Sequence, residues 1–172
     1  MAITTPHAAV AILHAQGPEE SVLLIRRQEH PEDPWSGHWS FPGGRCDPGD
    51  RDPLETALRE LQEECGIRLE RGQLRESLTL CSARGGSVPF LVAPFVFAVP
   101  APVATQLDAR EAVEARWAPI HMLRDRAQHR WQPVPGRPPA EQWPGISLGA
   151  VPLWGFTYRL ICQWLEIEPP PR

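Results

Sequence analysis

The chain has 172 residues, enough for one domain around one core and short for two of ordinary size. Hydrophobic residues at 42% and charged residues at 22% are ordinary globular usage, which excludes a disordered or fibrous chain. A net charge of -4 offers no basic footprint for nucleic acid, although an anionic substrate remains admissible where cations sit between it and the protein.

Met1–His7 lacks a basic segment followed by an apolar run, so no secretion leader is expected there. Ala8–Leu13 and Ser21–Arg26 are short apolar runs separated by Gln16-Gly17-Pro18 and predict two strands joined by a turn. His30–Ser36 is rich in Pro, Asp and Glu and predicts a loop. Trp39–Phe41 predicts a short strand stopped by Pro42-Gly43-Gly44, and Arg45–Asp52 a tight polar loop. Pro53–Cys65 is the best-defined helix of the sequence. Asp52 suits the N-cap, Pro53 the first turn, Glu55 the closing position of a capping box, and Gly66 the C-terminal stop. Further strands are expected at Ser77–Cys81, at Val88–Val99 with a break at Pro94, and at Val113–Trp117. Gln132–Pro144 is proline-rich and predicts an excursion of the domain. Trp154–Glu166 places Phe156, Leu160, Ile161, Trp164 and Leu165 at the spacing of an amphipathic helix. The order of strands, helix, strands and helix indicates a mixed α/β sandwich.

The four cysteines, Cys46, Cys65, Cys81 and Cys162, contain no CxxC pair, which argues against a zinc ribbon or a thioredoxin-like motif. Without a disulfide pattern, or an apolar stretch long enough for a bilayer, the expected setting is the cytoplasm, with no membrane partner.

The chemistry is expected on the helix. At about 100° per residue, Leu54, Leu58, Leu61 and Cys65 fall on one side and Glu60, Glu63 and Glu64 on nearly the opposite side. Crowded carboxylates repel and raise one another's pKa, and a hard divalent cation is a common remedy. A solvated acidic face is the plain alternative. Two neighbouring features favour the cation. Gly43-Gly44 offers a backbone carbonyl shortly before the helix, and Arg26, Arg27 and Arg45 on nearby loops suit phosphate groups.

Gly43-Gly44 followed by Arg59-Glu60-Leu61-Gln62-Glu63-Glu64-Cys65-Gly66-Ile67 resembles the Nudix box, Gly-x5-Glu-x7-Arg-Glu-U-x-Glu-Glu-x-Gly-U with U aliphatic. The second half agrees at every fixed position. In the first half, Asp50 stands where the pattern has glutamate, and eight residues rather than seven separate it from Arg59. That spacing, together with Phe41–Gly44, Leu23, Leu24, Arg27 and Gly37, is similar to the coenzyme A diphosphatase-like subgroup. Asp33 occupies the place of that subgroup's second arginine. Leu153–Arg159, and Glu111–Glu114 followed by Trp117 and Pro119, resemble further stretches of it, so the likeness runs from about Ala8 to Leu165.

The resemblance implies the Nudix fold, an α+β class α/β/α sandwich with a mixed β-sheet between helices, formed by residues 1–172 as one domain. It implies Mg2+ or Mn2+ held by Glu60, Glu63, Glu64 and the Gly43 carbonyl. Glu60 or Glu111 would take the proton of the attacking water, and Arg59 would orient the glutamates as an ion pair. Asp50 is read as a supporting hydrogen-bonder or a turn residue. Arg27 and Arg45 are read as ligands of substrate phosphates or as surface arginines. Trp35, His38 and Trp39 are read as a stacking surface or as packing, with at least one tryptophan packing. Glu114 is expected on a strand surface, and Trp154 and Tyr158 in the packing of the last helix. The expected activity is pyrophosphohydrolase cleavage of a phosphoanhydride in a nucleoside diphosphate linked to another group. Coenzyme A or an acyl derivative is the first candidate; a nucleoside triphosphate, ADP-ribose, a sugar nucleotide or a dinucleotide is the alternative. A non-catalytic nucleotide-binding regulator is the reading from another class. The expected partner is a nucleotide-type small molecule, and the expected state a monomer or homodimer. Substrate choice is expected in the loops Ser82–Pro89 and Gln132–Pro144.

Overall fold

The computed structural model describes residues 5–33, 35–83 and 89–172. Most of the Ser82–Pro89 loop and the start of the Val88–Val99 run therefore lie outside the described residues.

Strands β1 (Ala8–Ala15) and β2 (Ser21–Arg27) are apolar on both sides, and the fold buries both. Ala9, Ala11, Leu13, Leu23 and Ile25 enter a core shared with helix α1 (Pro53–Cys65), while Ile12, Val22 and Leu24 enter a second core on the other face. The alternation follows from the two-residue period of a strand. Alanine at three of the α1-facing positions of β1 lets the helix approach the sheet closely.

β1 and β2 are antiparallel but pair only at one end, His14 with Val22 and Ala15 with Ser21. The fork between them is filled by the next segment. β3 (Trp39–Ser40) pairs with β2, and β4 (Gly43–Arg45) pairs with β1 through Val10, Ala9 and Ala8. Phe41-Pro42 joins the two prongs. The sheet is completed by β5 (Leu74–Ser77), β6 (Cys81–Ala83), β7 (Phe90–Val99) and β8 (Ala112–Pro119). β7 runs parallel to β1, and β8 antiparallel to β2. A short helix α2 (Ile120–Arg124) follows. A second antiparallel sheet, in the order β11-β10-β9, is made from β9 (His129–Gln132), β10 (Trp143–Leu148) and β11 (Val151–Trp154). Helix α3 (Gly155–Leu165) ends the architecture. It shares the second core with β10 and β11, through Ile146, Leu153, Tyr158 and Ile161. The result is α1, then the mixed sheet, then α3 with the small sheet. Among the described residues no helix is long and apolar enough to cross a membrane.

Helix α1 has the predicted bounds. Asp52 Oδ1 accepts the Glu55 N–H at 2.9 Å, and Gly66 closes the helix with φ 68°, a left-handed conformation that glycine adopts without Cβ strain. The capping box forms only by half. Glu55 turns back to the Arg51 N–H and guanidinium instead of the Asp52 N–H.

Several strand expectations shift. Ser77–Cys81 is mostly the connector between β5 and β6, because β7 changes partner there from Phe95–Ser77 pairing to Val92–Cys81 pairing. For the same reason Pro94 does not break β7. Its carbonyl accepts the Leu78 N–H at 3.0 Å, so its missing N–H faces that connector and no ladder bond is lost. β4 lies inside the expected stop signal and polar loop, and the unexpected strands β9, β10 and β11 flank the proline-rich stretch, β9 ending at its first residue and β10 starting at its last two. Polar Arg, Gln and Ser alternate there with apolar residues, and proline hid the pattern.

Candidate active site

The fork that receives β4 brings Gly43-Gly44 under the C-terminal half of α1. The Gly43 N–H donates to Glu64 Oε2 at 2.8 Å. A Cβ on Gly44 would displace the Glu60 carboxylate that lies on it, and one on Gly43 would meet the Ala9 carbonyl and the Val10 backbone, so Gly43 is where the fold requires glycine. Two consecutive glycines thus seat two of the three box glutamates.

Glu64 corrects an expectation. It is only 3% exposed and belongs to the buried stripe with Leu54, Ala57, Leu61 and Cys65, not to the opposite face. On the helical wheel it lies roughly 20° from Ala57, and Leu58, counted on the apolar side, is only half-buried. Burial pushes the Glu64 carboxyl up to about 8, against the Gly43 hydrogen bond that favours its charged form. Glu60 is also raised, first by burial, and the charges of Glu63 and Glu111 add to this while Arg59 opposes it. Glu63 is open to solvent, with its side chain 58% exposed.

Arg59 is the hub of the cluster. Its Nε and Nη2 both donate to Asp50, each at 3.0 Å, and Nη1 donates to Glu60 at 2.9 Å and to Glu63 at 3.2 Å. Asp50 also accepts the Thr56 hydroxyl at 2.7 Å and the Asp47 N–H at 3.0 Å, and its side chain is 7% exposed. It therefore closes the Asp47–Asp50 turn and anchors Arg59 at once. The guanidinium holds its carboxyl well below the usual carboxylate range. Asp50, with one carbon fewer than glutamate and one residue further from Arg59 than in the box pattern, still reaches the guanidinium with both of its oxygens.

The three glutamates are neighbours but do not converge. Among the described residues no three His, Cys, Asp or Glu side chains sit at metal-ligand spacing. Glu60 and Glu63 are drawn to one nitrogen of Arg59, while Glu64 turns to Gly43. The donor set nevertheless fits a hard divalent cation. It offers only oxygen, it carries excess negative charge, and its most buried carboxylate has a single N–H to offset desolvation.

The remaining predicted residues are placed as follows. Glu111 is exposed at the loop before β8; its carbonyl accepts the Gln28 N–H at 2.9 Å, and its charge is felt at both Glu60 and Glu64. Arg27, at the end of β2, is held by Asp33 at 2.9–3.0 Å. Arg45 lies over the Phe90 ring at 5.1 Å, and Trp35 sits 6.5 Å from the same ring. His38 packs against Trp154, and burial lowers its pKa, which keeps the ring neutral at pH 7. Trp39 is buried, donates Nε1–H to the Val151 carbonyl and lies under Arg116, so it is a packing residue. Glu114 is a strand-surface residue paired with Arg26 and Arg116. Tyr158 is fully buried against His129. Sequence reasoning missed the Arg27–Asp33 pair; an arginine and an acid six residues apart across a loop were the available signal.

The chain is similar to known proteins in both sequence and fold. The family model for the Nudix domain matches residues 5–138. An uncharacterized Schizosaccharomyces pombe protein is 36% identical over 106 residues, 58% of this chain and 32% of that protein. The uncharacterized Nudix hydrolase NudL of Yersinia enterocolitica is 32% identical over 125 residues, 73% of this chain and 62% of the relative. The chain thus spans less than two thirds of the length of these two relatives. NudL of Photorhabdus laumondii is 28% identical over 165 residues, covering 91% of this chain and 82% of NudL. Among solved structures, the NUDIX domain of Shewanella oneidensis NrtR, complexed with ADP ribose, superposes with a TM-score of 0.64 at 21% identity, over 95% of this chain and 88% of that one. A Caenorhabditis elegans Ap4A hydrolase binary complex gives 0.52 at 23% identity, over 66% and 80%. At these identities the structural likeness speaks for the fold alone. With the box glutamates seated on Gly43-Gly44 and the family model covering most of the chain, this protein belongs to the Nudix family.

Proposed function

We propose that the chain, acting as one domain, hydrolyses a phosphoanhydride bond in a nucleoside diphosphate linked to another group. The observation that carries this reading is the buried Glu64 carboxylate on a helix whose neighbouring Glu60 and Glu63 are both tethered to Arg59. A buried carboxylate is costly unless it is paired or coordinates a metal, and among the described residues Glu64 has one N–H and no cationic side chain bonded to it. Glu60, Glu63, Glu64 and the Gly43 carbonyl would hold Mg2+ or Mn2+. When bound, such an ion neutralises phosphate oxygens and makes a nearby water more acidic.

Glu111 is the better candidate for the base. Glu60 already has Arg59 as partner and is needed as a ligand, whereas the Glu111 side chain has no polar partner among the described residues and faces the same acids. Glu111→Gln is expected to lower kcat about 100-fold while metal affinity by calorimetry stays unchanged. If Glu60 is the base, kcat of this variant will stay near wild type.

Coenzyme A or an acyl derivative is the specific substrate that the Phe41–Gly44 and Leu23–Arg27 resemblance supports; ADP-ribose, NADH, dinucleoside polyphosphates and nucleoside triphosphates complete the panel to be assayed. Product release with Mn2+, its abolition by a chelator and its return on adding metal back are the expected results. Binding without release of product from any of these compounds would show a regulator instead. The same reading sets the protein in a reducing compartment, in keeping with four free cysteines.

A further inference from the structure

Arg27, at the end of β2, is not a free cation. Its Nε and Nη2 both donate to one oxygen of Asp33, at 3.0 and 2.9 Å. The other oxygen of Asp33 accepts the Trp35 N–H at 3.0 Å. The Asp33 N–H donates to the His30 carbonyl at 3.1 Å, and the Ser36 N–H to the Asp33 carbonyl at 3.0 Å. The loop is thus wound around this carboxylate, and the pair is largely shielded, with side chains 28% and 19% exposed. Arg27 nevertheless lies beside the site, because it pairs with Ala112 on β8 and the next residue, Gln28, donates its N–H to the Glu111 carbonyl at 2.9 Å. Among the described residues its Nη1 has no protein partner.

We propose that Asp33 is a positioning residue that sets the charge selectivity of the site: by holding Arg27 it removes a free cation, so a phosphate beyond the diphosphate adds little to recognition. The proposal rests on the hydrolase reading above. An unpaired guanidinium attracts an extra phosphate monoester through charge and a forked pair of N–H donors. Paired with a carboxylate it is electrically neutral from a distance, and its fork is occupied.

The test compares coenzyme A with dephospho-coenzyme A, which differ by one phosphate, as the ratio of their kcat/KM values with Mg2+. In wild type the ratio is expected within about threefold of one, and Asp33→Asn should raise it about tenfold. Adding Arg27→Ala to Asp33→Asn should abolish that gain. Glu32→Gln, a neutralisation of the exposed neighbouring acid, should leave the ratio at the wild-type value. A wild-type ratio already above about ten, an unchanged ratio in Asp33→Asn, or an equal gain in Glu32→Gln would overturn the proposal. Should Asp33→Asn melt early, Asp33→Ser keeps a short acceptor for the Trp35 N–H and gives the same readout. Should neither compound be cut, the affinity of adenosine 3′,5′-bisphosphate relative to AMP, by calorimetry on the same variants, replaces the kinetic ratio. Loss of hydrolysis and loss of selectivity are then read separately.

Discussion

Glu64→Gln is expected to lower turnover at least ~100-fold while the chain stays folded. Glutamine keeps an oxygen for the Gly43 N–H but removes the charge that a cation and the transition state need. Its effect on stability has the opposite sign. The folded protein holds the Glu64 proton up to about pH 8, against an ordinary value of 4.5. Between those values the folded state binds more protons than the unfolded state, so the metal-free wild type loses stability as pH rises through that window. The full penalty is present above pH 8 and absent below 4.5. Glu64→Gln should flatten this slope, and at pH 8 the metal-free variant should melt above metal-free wild type. Mg2+ or Mn2+ should stabilise wild type more at pH 8 than at pH 6, because metal and proton compete for one carboxylate. Melting curves with and without metal check each sign. Turnover near wild type in the variant would end the metal-ligand assignment.

Arg59→Ala should damage both fold and rate. It strips Asp50, a side chain 7% exposed, of its two guanidinium bonds and frees Glu60 and Glu63 from their shared donor. A carboxylate left buried without its partner costs several kcal/mol, and with Arg59 itself 29% exposed the loss is discounted to roughly 2–3 kcal/mol. Turnover should fall about 100-fold, because the glutamates lose their fixed orientation. Arg59→Lys should recover part of the stability and little of the rate, since lysine supplies charge but no fork. Urea denaturation and steady-state kinetics measure the two losses. Unchanged stability in Arg59→Ala would show that Asp50 is satisfied without it.

The elements with strong local signals were readable in advance. Asp52, Pro53 and Gly66 bound α1 because caps act through the backbone nearest to them. β1 and β2 followed from their apolar runs. β9, β10 and β11 did not, because short strands with proline and polar residues gain their stability from each other and from α3. Pro94 misled for the same kind of reason. Whether a missing N–H matters depends on which neighbour the strand has at that residue.

By itself the sequence determined the family and the candidate residues: the spacing of Arg59, Glu60, Glu63 and Glu64 and the paired glycines are local patterns with little freedom. Only the tertiary structure decided what those residues do to one another. Burial of Glu64 depends on how α1 rolls onto β1, and its partner Gly43 arrives through a fork in the sheet. The union of Arg59 with Asp50, and of Arg27 with Asp33, required loops to fold back across gaps that no periodicity encodes. Charge and hydrogen bonding fall off within a few ångströms, so their outcome is set by distances in space, which the order of residues along the chain does not contain.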